Sequence, residues 1–108
     1  MTATVILLGV LTVTSYRPIR AQTDDSPTWT SIGDRTTKFG IAVSQDLLRS
    51  GEVKYGDILC VSGYPCRIVN DAMGPKARRA VDMLVFTKQE ERAIGVKHLK
   101  VYRVGVNL

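Results

Sequence analysis

Aromatic residues, histidine and cysteine are scarce in this chain, and it has no low-complexity segment. Aromatic residues make up 6% of the 108 residues, which gives little support for a binding surface built from stacked aromatic rings. The only histidine is His98 and the only cysteines are Cys60 and Cys66, so a structural zinc site is not expected. These shortages argue against a zinc protein and against an aromatic sugar-binding module.

A long hydrophobic run is also missing, although the N-terminal sequence MTATVILLGVLTVTSY (residues 1–16) is apolar. Its uninterrupted apolar part is too short to span a bilayer, and no basic residues precede it as they do in a signal peptide. We therefore expect a β-strand and no stable membrane insertion. An export signal is the alternative, which leaves open whether residues 1–9 belong to the fold.

The overall composition is that of one soluble globular domain covering residues 1–108, with 44% hydrophobic and 23% charged residues. A net charge of +5 favours an anionic partner, which could be nucleic acid, a lipid surface or the carboxylate-rich peptides of bacterial cell wall. The basic residues cluster only at Lys76, Arg78 and Arg79, and no nucleic-acid-binding motif accompanies them. We expect a solvated basic surface and no nucleic-acid partner.

The two cysteines lie in CVSGYPC (residues 60–66), where a turn sequence separates two strand-like runs. The cysteines would face each other across a hairpin. A disulfide would suit an extracytoplasmic protein, and two buried thiols would suit a cytosolic one, so the spacing leaves both open.

Short strands dominate the rest of the sequence. Residues 11–16 alternate between apolar and polar side chains, as in a half-buried strand, and residues 19–38 are polar enough for a long irregular loop. Further strands are predicted at residues 40–44, 56–62, 66–71, 80–86 and 98–108, and one helical turn at residues 45–49. A helix is predicted at residues 87–95, from a Thr87 cap with Glu90 three positions on to a stop at Gly95. The pattern predicts a small closed β-barrel.

Three acids, Asp24, Asp71 and Asp82, stand out. Asp71 and Asp82 lie in or beside strands, where a carboxylate is costly to bury without a partner, and Asp24 lies in the long polar loop. Around them the sequence resembles the three-aspartate domain family, which includes murein enzymes of the membrane-bound lytic transglycosylase A type. The resemblance covers the chain from Thr12 onward and includes the eleven-residue spacing between Asp71 and Asp82. It is made by TVTSYRP (12–18), QTDDSPTWTSIG (22–33), GIAVSQDLL (40–48), YGDILCVSG (55–63), VNDAM (69–73), VDM (81–83) and EERAIGVKHLKVYRV (90–104).

The resemblance implies a mainly β fold, a six-stranded double-psi β-barrel with one or two short helices. It also implies an activity without metal or organic cofactor, the cleavage of the bond between N-acetylmuramic acid and N-acetylglucosamine in peptidoglycan to leave a 1,6-anhydro sugar. On this basis Asp82 is the catalytic acid and base, and Asp71 is a supporting acid that raises its pKa or stabilises the transition state. A monomeric enzyme acting on the cell wall in the periplasm is expected. It would be either a bacteriophage enzyme released from the host cytoplasm or a bacterial periplasmic or secreted enzyme.

Further residues are candidates for substrate binding. Asp24 would bind sugar hydroxyls or cap a turn before Pro27, and Thr30 would bond an acid or the substrate. Tyr16 and Trp29 would stack on sugar rings unless they are packing residues. The basic residues Lys76 and Arg78 would meet murein carboxylates unless they form a solvated loop. Two rival functions stay open: a glycoside hydrolase that pairs Asp82 with Asp24 or Asp71, and a non-catalytic glycan-binding or virion structural module.

Overall fold

The computed structural model describes residues 2–18 and 39–107, which form six strands and two short helices. The predicted loop at residues 19–38 lies outside this part of the chain. In chain order the elements are β1 (Thr2–Tyr16), β2 (Gly40–Val43), α1 (Gln45–Arg49), β3 (Ile58–Val61), β4 (Arg67–Ala72), β5 (Ala80–Leu84), α2 (Lys88–Ile94) and β6 (Lys97–Asn107).

The strands close into a barrel in the order β1-β5-β2-β4-β3-β6. The pairs β1/β5 and β2/β4 are parallel, and the other four are antiparallel. The two halves of the chain are arranged symmetrically. If β1 is exchanged with β4, β2 with β5 and β3 with β6, every strand pair is reproduced and keeps its parallel or antiparallel direction. The predicted fold class, a mainly β protein on a closed six-stranded barrel with one or two short helices, is confirmed, and the described residues contain two helices. The paired parallel strands agree with the double-psi arrangement.

The first strand is longer than the alternating pattern of residues 11–16. Its N-terminal part pairs with β6 from Thr2 opposite Asn107, so residues 2–9 belong to the fold. The side chains of residues 3–7 are exposed, which explains why their sequence shows no alternation. A register shift occurs between Leu7 and Gly9, and Gly9 has a φ of 132° that other residues rarely adopt.

The barrel interior is filled by apolar side chains from every strand, supplemented by α1, α2 and the segments next to them. Strand alternation places one face of each strand inside and the other outside. The buried members of this core cluster are Leu11, Val13, Ile41, Val43, Leu47, Val53, Leu59, Val61, Val69, Val81, Met83, Val85, Ile94 and Val101.

Helix α2 begins and ends where the sequence predicts. The Thr87 hydroxyl accepts a hydrogen bond from the Glu90 amide at 3.1 Å, and Gly95 follows the last residue with a φ of 55°. The Glu90 carboxylate accepts from the Thr87 hydroxyl and from the amide of Phe86, one residue before the usual capping-box partner. These contacts fix the direction in which α2 leaves β5.

The β3 and β4 strands form the predicted hairpin, and a disulfide joins Cys60 and Cys66 across it. Of the two states that the sequence allowed for these cysteines, the structure has the disulfide. The link closes a short loop next to the antiparallel β3/β4 pair and leaves no free cysteine.

Candidate active site

Asp82 lies in the middle of β5 and faces the outside of the barrel. Its chain neighbours Val81 and Met83 are both fully buried in the core, so the alternation of the strand directs Asp82 to the opposite face. There it accepts a hydrogen bond from the Thr14 hydroxyl on β1, at 2.9 Å from Oγ1 to Oδ1. The apolar surroundings of Asp82 are therefore residues on its own face of the strand, and not its immediate chain neighbours Val81 and Met83.

Those surroundings form a small cluster of Tyr16, Ala42 and Leu84, with Met73 packed against it. Tyr16 pairs in register with Leu84, and Ala42 pairs with Asp82 itself. Burial among them is the main reason why the pKa of Asp82 is raised to about 6. The Thr14 hydrogen bond opposes this rise, and the carboxylates of Asp71 and Glu91 add to it.

Asp71 lies in the same row of side chains as Asp82. The row runs through Thr14 on β1, Asp82 on β5, Ala42 on β2 and Asp71 on β4, each in register with the next. Because one strand separates the two acids, their backbones lie about 9.5 Å apart.

A β-bulge places Asp71 on this face. The register between β2 and β4 shifts after Ile41, which pairs with Val69, so that Ala42 pairs with Asp71 and Asn70 is left over. Val69 is fully buried in the core, and without the extra residue Asp71 would also face the core. The Asp71 carboxylate then accepts a hydrogen bond from the backbone amide of Ala72 at 2.9 Å.

Tyr16 forms part of the wall rather than an exposed platform. Only 9% of the residue is exposed. Its burial, followed by the carboxylates of Asp71 and Asp82, raises the pKa of the phenol above its ordinary value, while Arg67 acts in the opposite direction. Tyr16 is therefore a neutral hydroxyl group near both acids.

Arg67 secures the end of the barrel beneath Tyr16. Its guanidinium is buried and Nη1 donates to the carbonyl oxygens of Gly40 at 3.2 Å and Leu84 at 2.6 Å. These bonds join the start of β2 to the end of β5, two residues after Asp82. Arg67 is thus a structural cation that holds the strands of the two acids together.

An open pocket of about 540 Å³ lies along this face, with Asp82 in its wall. The lining comes from the end of β1, from β5 and from the end of α2. The lining residues are Thr14, Ser15, Tyr16, Asp82, Glu91, Gly95 and Val96.

Glu91 is the site residue that sequence reasoning missed. It lies on α2, lines the pocket, and forms an ion pair with Arg17 in which Nε and Oε1 are 3.3 Å apart. In the sequence it is one of two adjacent glutamates at the start of a helix, where acids are common because they interact favourably with the helix dipole. Only the packing of α2 against β1 shows that Glu91 shares the pocket with Asp82.

The other candidate substrate-binding residues are not brought to the pocket, or lie outside the described residues. Lys76 and Arg78 are exposed on the connection between β4 and β5 and do not line the pocket. The Arg78 guanidinium donates to the carbonyl oxygens of Pro75 at 2.6 Å and Ala77 at 2.9 Å, within its own loop. Asp24, Trp29 and Thr30 lie outside the described residues, so their roles stay predictions.

Residues 2–18 and 39–107 contain neither a metal-binding cluster nor a membrane-spanning helix. No group of three or more histidine, cysteine, aspartate or glutamate side chains there is arranged to hold a metal ion. The helices in this part of the chain are too short to cross a membrane.

No protein-family model matches the chain, and a search of curated proteins finds no significant match. The observations on which function can be argued are therefore the closed barrel, the row of acids and the pocket.

Proposed function

We propose that this protein is a peptidoglycan lytic transglycosylase that cleaves the β-1,4 bond between N-acetylmuramic acid and N-acetylglucosamine. The observation that supports the proposal most is the environment of Asp82. This carboxyl group lies in the wall of an open pocket, and burial raises its pKa to about 6. An acid of that pKa is still partly protonated near neutral pH, so it can donate a proton and afterwards act as a base.

One such carboxyl group is sufficient for the reaction. In the first step Asp82 gives its proton to the glycosidic oxygen as the bond from that oxygen to the anomeric carbon of N-acetylmuramic acid breaks. The sugar passes through an oxocarbenium-like state with positive charge at the anomeric carbon. The C6 hydroxyl oxygen of the same sugar then attacks the anomeric carbon and its proton returns to Asp82. The enzyme regains its starting state and no water is consumed.

Other residues of the row have supporting roles in this proposal. Asp71 adds negative charge that favours the protonated form of Asp82 and stabilises the positively charged transition state. Thr14 holds the Asp82 carboxyl in one orientation through the 2.9 Å hydrogen bond. Tyr16 offers a neutral hydroxyl group to the substrate, and Lys76 and Arg78 would meet parts of the polymer beyond the pocket.

The proposed place of action is the cell wall. The Cys60–Cys66 disulfide fits an oxidising compartment such as the bacterial periplasm. A bacteriophage enzyme that reaches the periplasm from the host cytoplasm and a bacterial periplasmic enzyme would share this requirement. Peptidoglycan also fits the net charge of +5, since its peptides are rich in carboxylates.

A glycoside hydrolase on the same barrel is the second candidate, because Asp82 has other acids within electrostatic reach. Asp71 and Glu91 both raise its pKa, and Glu91 lines the same pocket. In an inverting hydrolase a second carboxylate activates water from about 6.5–9.5 Å away. Asp71, separated from Asp82 by one strand in the same row, is the second carboxylate in this candidate.

The reaction products distinguish these functions. We would digest purified peptidoglycan with the parent protein, with Asp82→Asn and with Asp57→Asn, and analyse the soluble fragments by mass spectrometry. Asp57 is a matched control because the same chemical change there affects a turn, where Oδ2 accepts a hydrogen bond from the amide of Lys54 at 2.8 Å.

The expected result is anhydro-muropeptides from the parent protein and from Asp57→Asn, and none from Asp82→Asn. Fragments with reducing ends would replace the transglycosylase with the hydrolase. Binding to peptidoglycan without any product from the parent would instead indicate a glycan-binding or virion structural module.

A further inference from the structure

The packing of α2 directs Glu91 toward the pocket instead of toward solvent. Ile94 is 5% exposed and belongs to the barrel core. Glu91 precedes it by three residues, so both side chains lie on the inner side of the helix. The Thr87 cap fixes the start of the helix and therefore its rotation. Glu91 reaches the pocket lining as a consequence.

Arg17 holds the Glu91 carboxylate in that place. Arg17 directly follows Tyr16, the last residue of β1, and its Nε lies 3.3 Å from Glu91 Oε1. The two side chains are only 20% and 26% exposed. The pair is therefore less screened by solvent than an ion pair at an open surface.

The described polar groups near Asp82 come from three elements, β1, β4 and α2. β1 contributes the Thr14 hydroxyl and the neutral Tyr16 phenol, β4 contributes Asp71, and α2 contributes Glu91. The neighbouring β2 strand presents Ala42, which does not titrate. Asp71 and Glu91 thus place two negative charges near Asp82, from opposite sides of its strand.

We propose that Glu91 is a positioning residue, a fixed negative charge in the pocket wall that favours the protonated form of Asp82, with Arg17 limiting its strength. The catalytic consequence rests on the proposed function, because a proton retained on Asp82 is the proton given to the glycosidic oxygen. The electrostatic relation between the two carboxyl groups does not depend on the reaction.

The direction of each effect follows from the charges. Burial is the largest cause of the raised Asp82 pKa, and Glu91 contributes to the rise. Removing the charge of Glu91 therefore lowers the pKa of Asp82. Removing Arg17 leaves the negative charge of Glu91 uncompensated, and the pKa of Asp82 then rises further. A purely structural role for the pair predicts no such opposite signs.

The test is a ¹³C NMR titration of the Asp82 carboxyl group in the parent protein and in Glu91→Gln, Arg17→Gln and Glu52→Gln. Glutamine matches glutamate in shape, and Glu52 is a control because it also pairs with an arginine, Arg79, outside the pocket. We expect the Asp82 midpoint to fall by roughly a few tenths of a pH unit in Glu91→Gln, the size of one partly screened charge. It should rise in Arg17→Gln and stay constant in Glu52→Gln.

An unchanged or raised midpoint in Glu91→Gln overturns the proposal. If that variant does not fold, Arg17→Gln decides, and a midpoint that fails to rise overturns it equally. The pH profile of peptidoglycan cleavage is measured on the same proteins. If the two variants shift the Asp82 midpoint in opposite directions but the parent protein makes no products, the proposed function is wrong and the role of Glu91 stands. If the parent protein cleaves peptidoglycan but the Asp82 midpoint is the same in all variants, the role of Glu91 is wrong and the proposed function stands.

Discussion

Replacing Asp82 by asparagine should stabilise the protein at neutral and alkaline pH while removing its proposed activity. A carboxyl group whose pKa is higher in the folded state binds its proton more tightly there than in the unfolded chain. The free energy of unfolding therefore falls as the pH rises from the unfolded pKa to the folded one. Because asparagine cannot ionise, the free energy of unfolding of the variant does not fall in this way. Its side-chain oxygen can still accept the Thr14 hydrogen bond.

The size of the effect follows from the raised pKa. The pKa of Asp82 rises from 3.8 to about 6, and each unit corresponds to about 1.36 kcal/mol. A difference of about two units makes the ionised carboxylate cost the folded state about 3 kcal/mol. The penalty is small at pH 4 and is complete at pH 8. The advantage of Asp82→Asn over the parent should therefore grow by about 2–3 kcal/mol between these two pH values.

Urea denaturation followed by circular dichroism, at intervals between pH 4 and pH 8, measures this difference directly. Other acids titrate in both proteins and largely cancel in the comparison. Asp57→Asn is again the control for the loss of one carboxyl group outside the pocket. If the curves of Asp82→Asn and the parent stay parallel, the carboxyl group is not destabilised by its surroundings, and the argument for an acid of raised pKa fails.

Three further predictions concern the supporting structure. Thr14→Val removes the hydroxyl that donates to Asp82; because the bond opposes the rise in pKa, the pKa of Asp82 should rise further, as seen by ¹³C NMR. Arg67→Ala removes two buried charge-assisted hydrogen bonds and should lower the free energy of unfolding in urea by at least about 3 kcal/mol. A decrease below about 1 kcal/mol, roughly the value of one neutral hydrogen bond, would contradict the structural role of Arg67. The double variant Cys60→Ser/Cys66→Ser opens a loop with a sequence separation of 6 and should lower the free energy of unfolding by about 2 kcal/mol, whereas the reduced parent should match the double variant.

Local sequence determined most of the secondary structure. The alternation in residues 11–16, the hairpin around the cysteines and the capped helix after Thr87 are patterns that a few consecutive residues specify. The prominence of Asp82 was also local, because a single acid between Val81 and Met83 in an apolar strand is unusual. The sequence also indicated a closed barrel, since it combines several short strands with little helix.

Only the tertiary structure decided which groups surround that acid. Asp71 shares a face with Asp82 because a bulge at Asn70 shifts the register between β2 and β4, and that register depends on how two strands that are far apart in the chain pack together. Glu91 joins the site because α2 packs Ile94 into the core. The burial that raises the pKa of Asp82 involves Tyr16 on β1 and Ala42 on β2 as well as Leu84 on its own strand. Contacts between residues far apart in the chain create these properties, so no local pattern could reveal them.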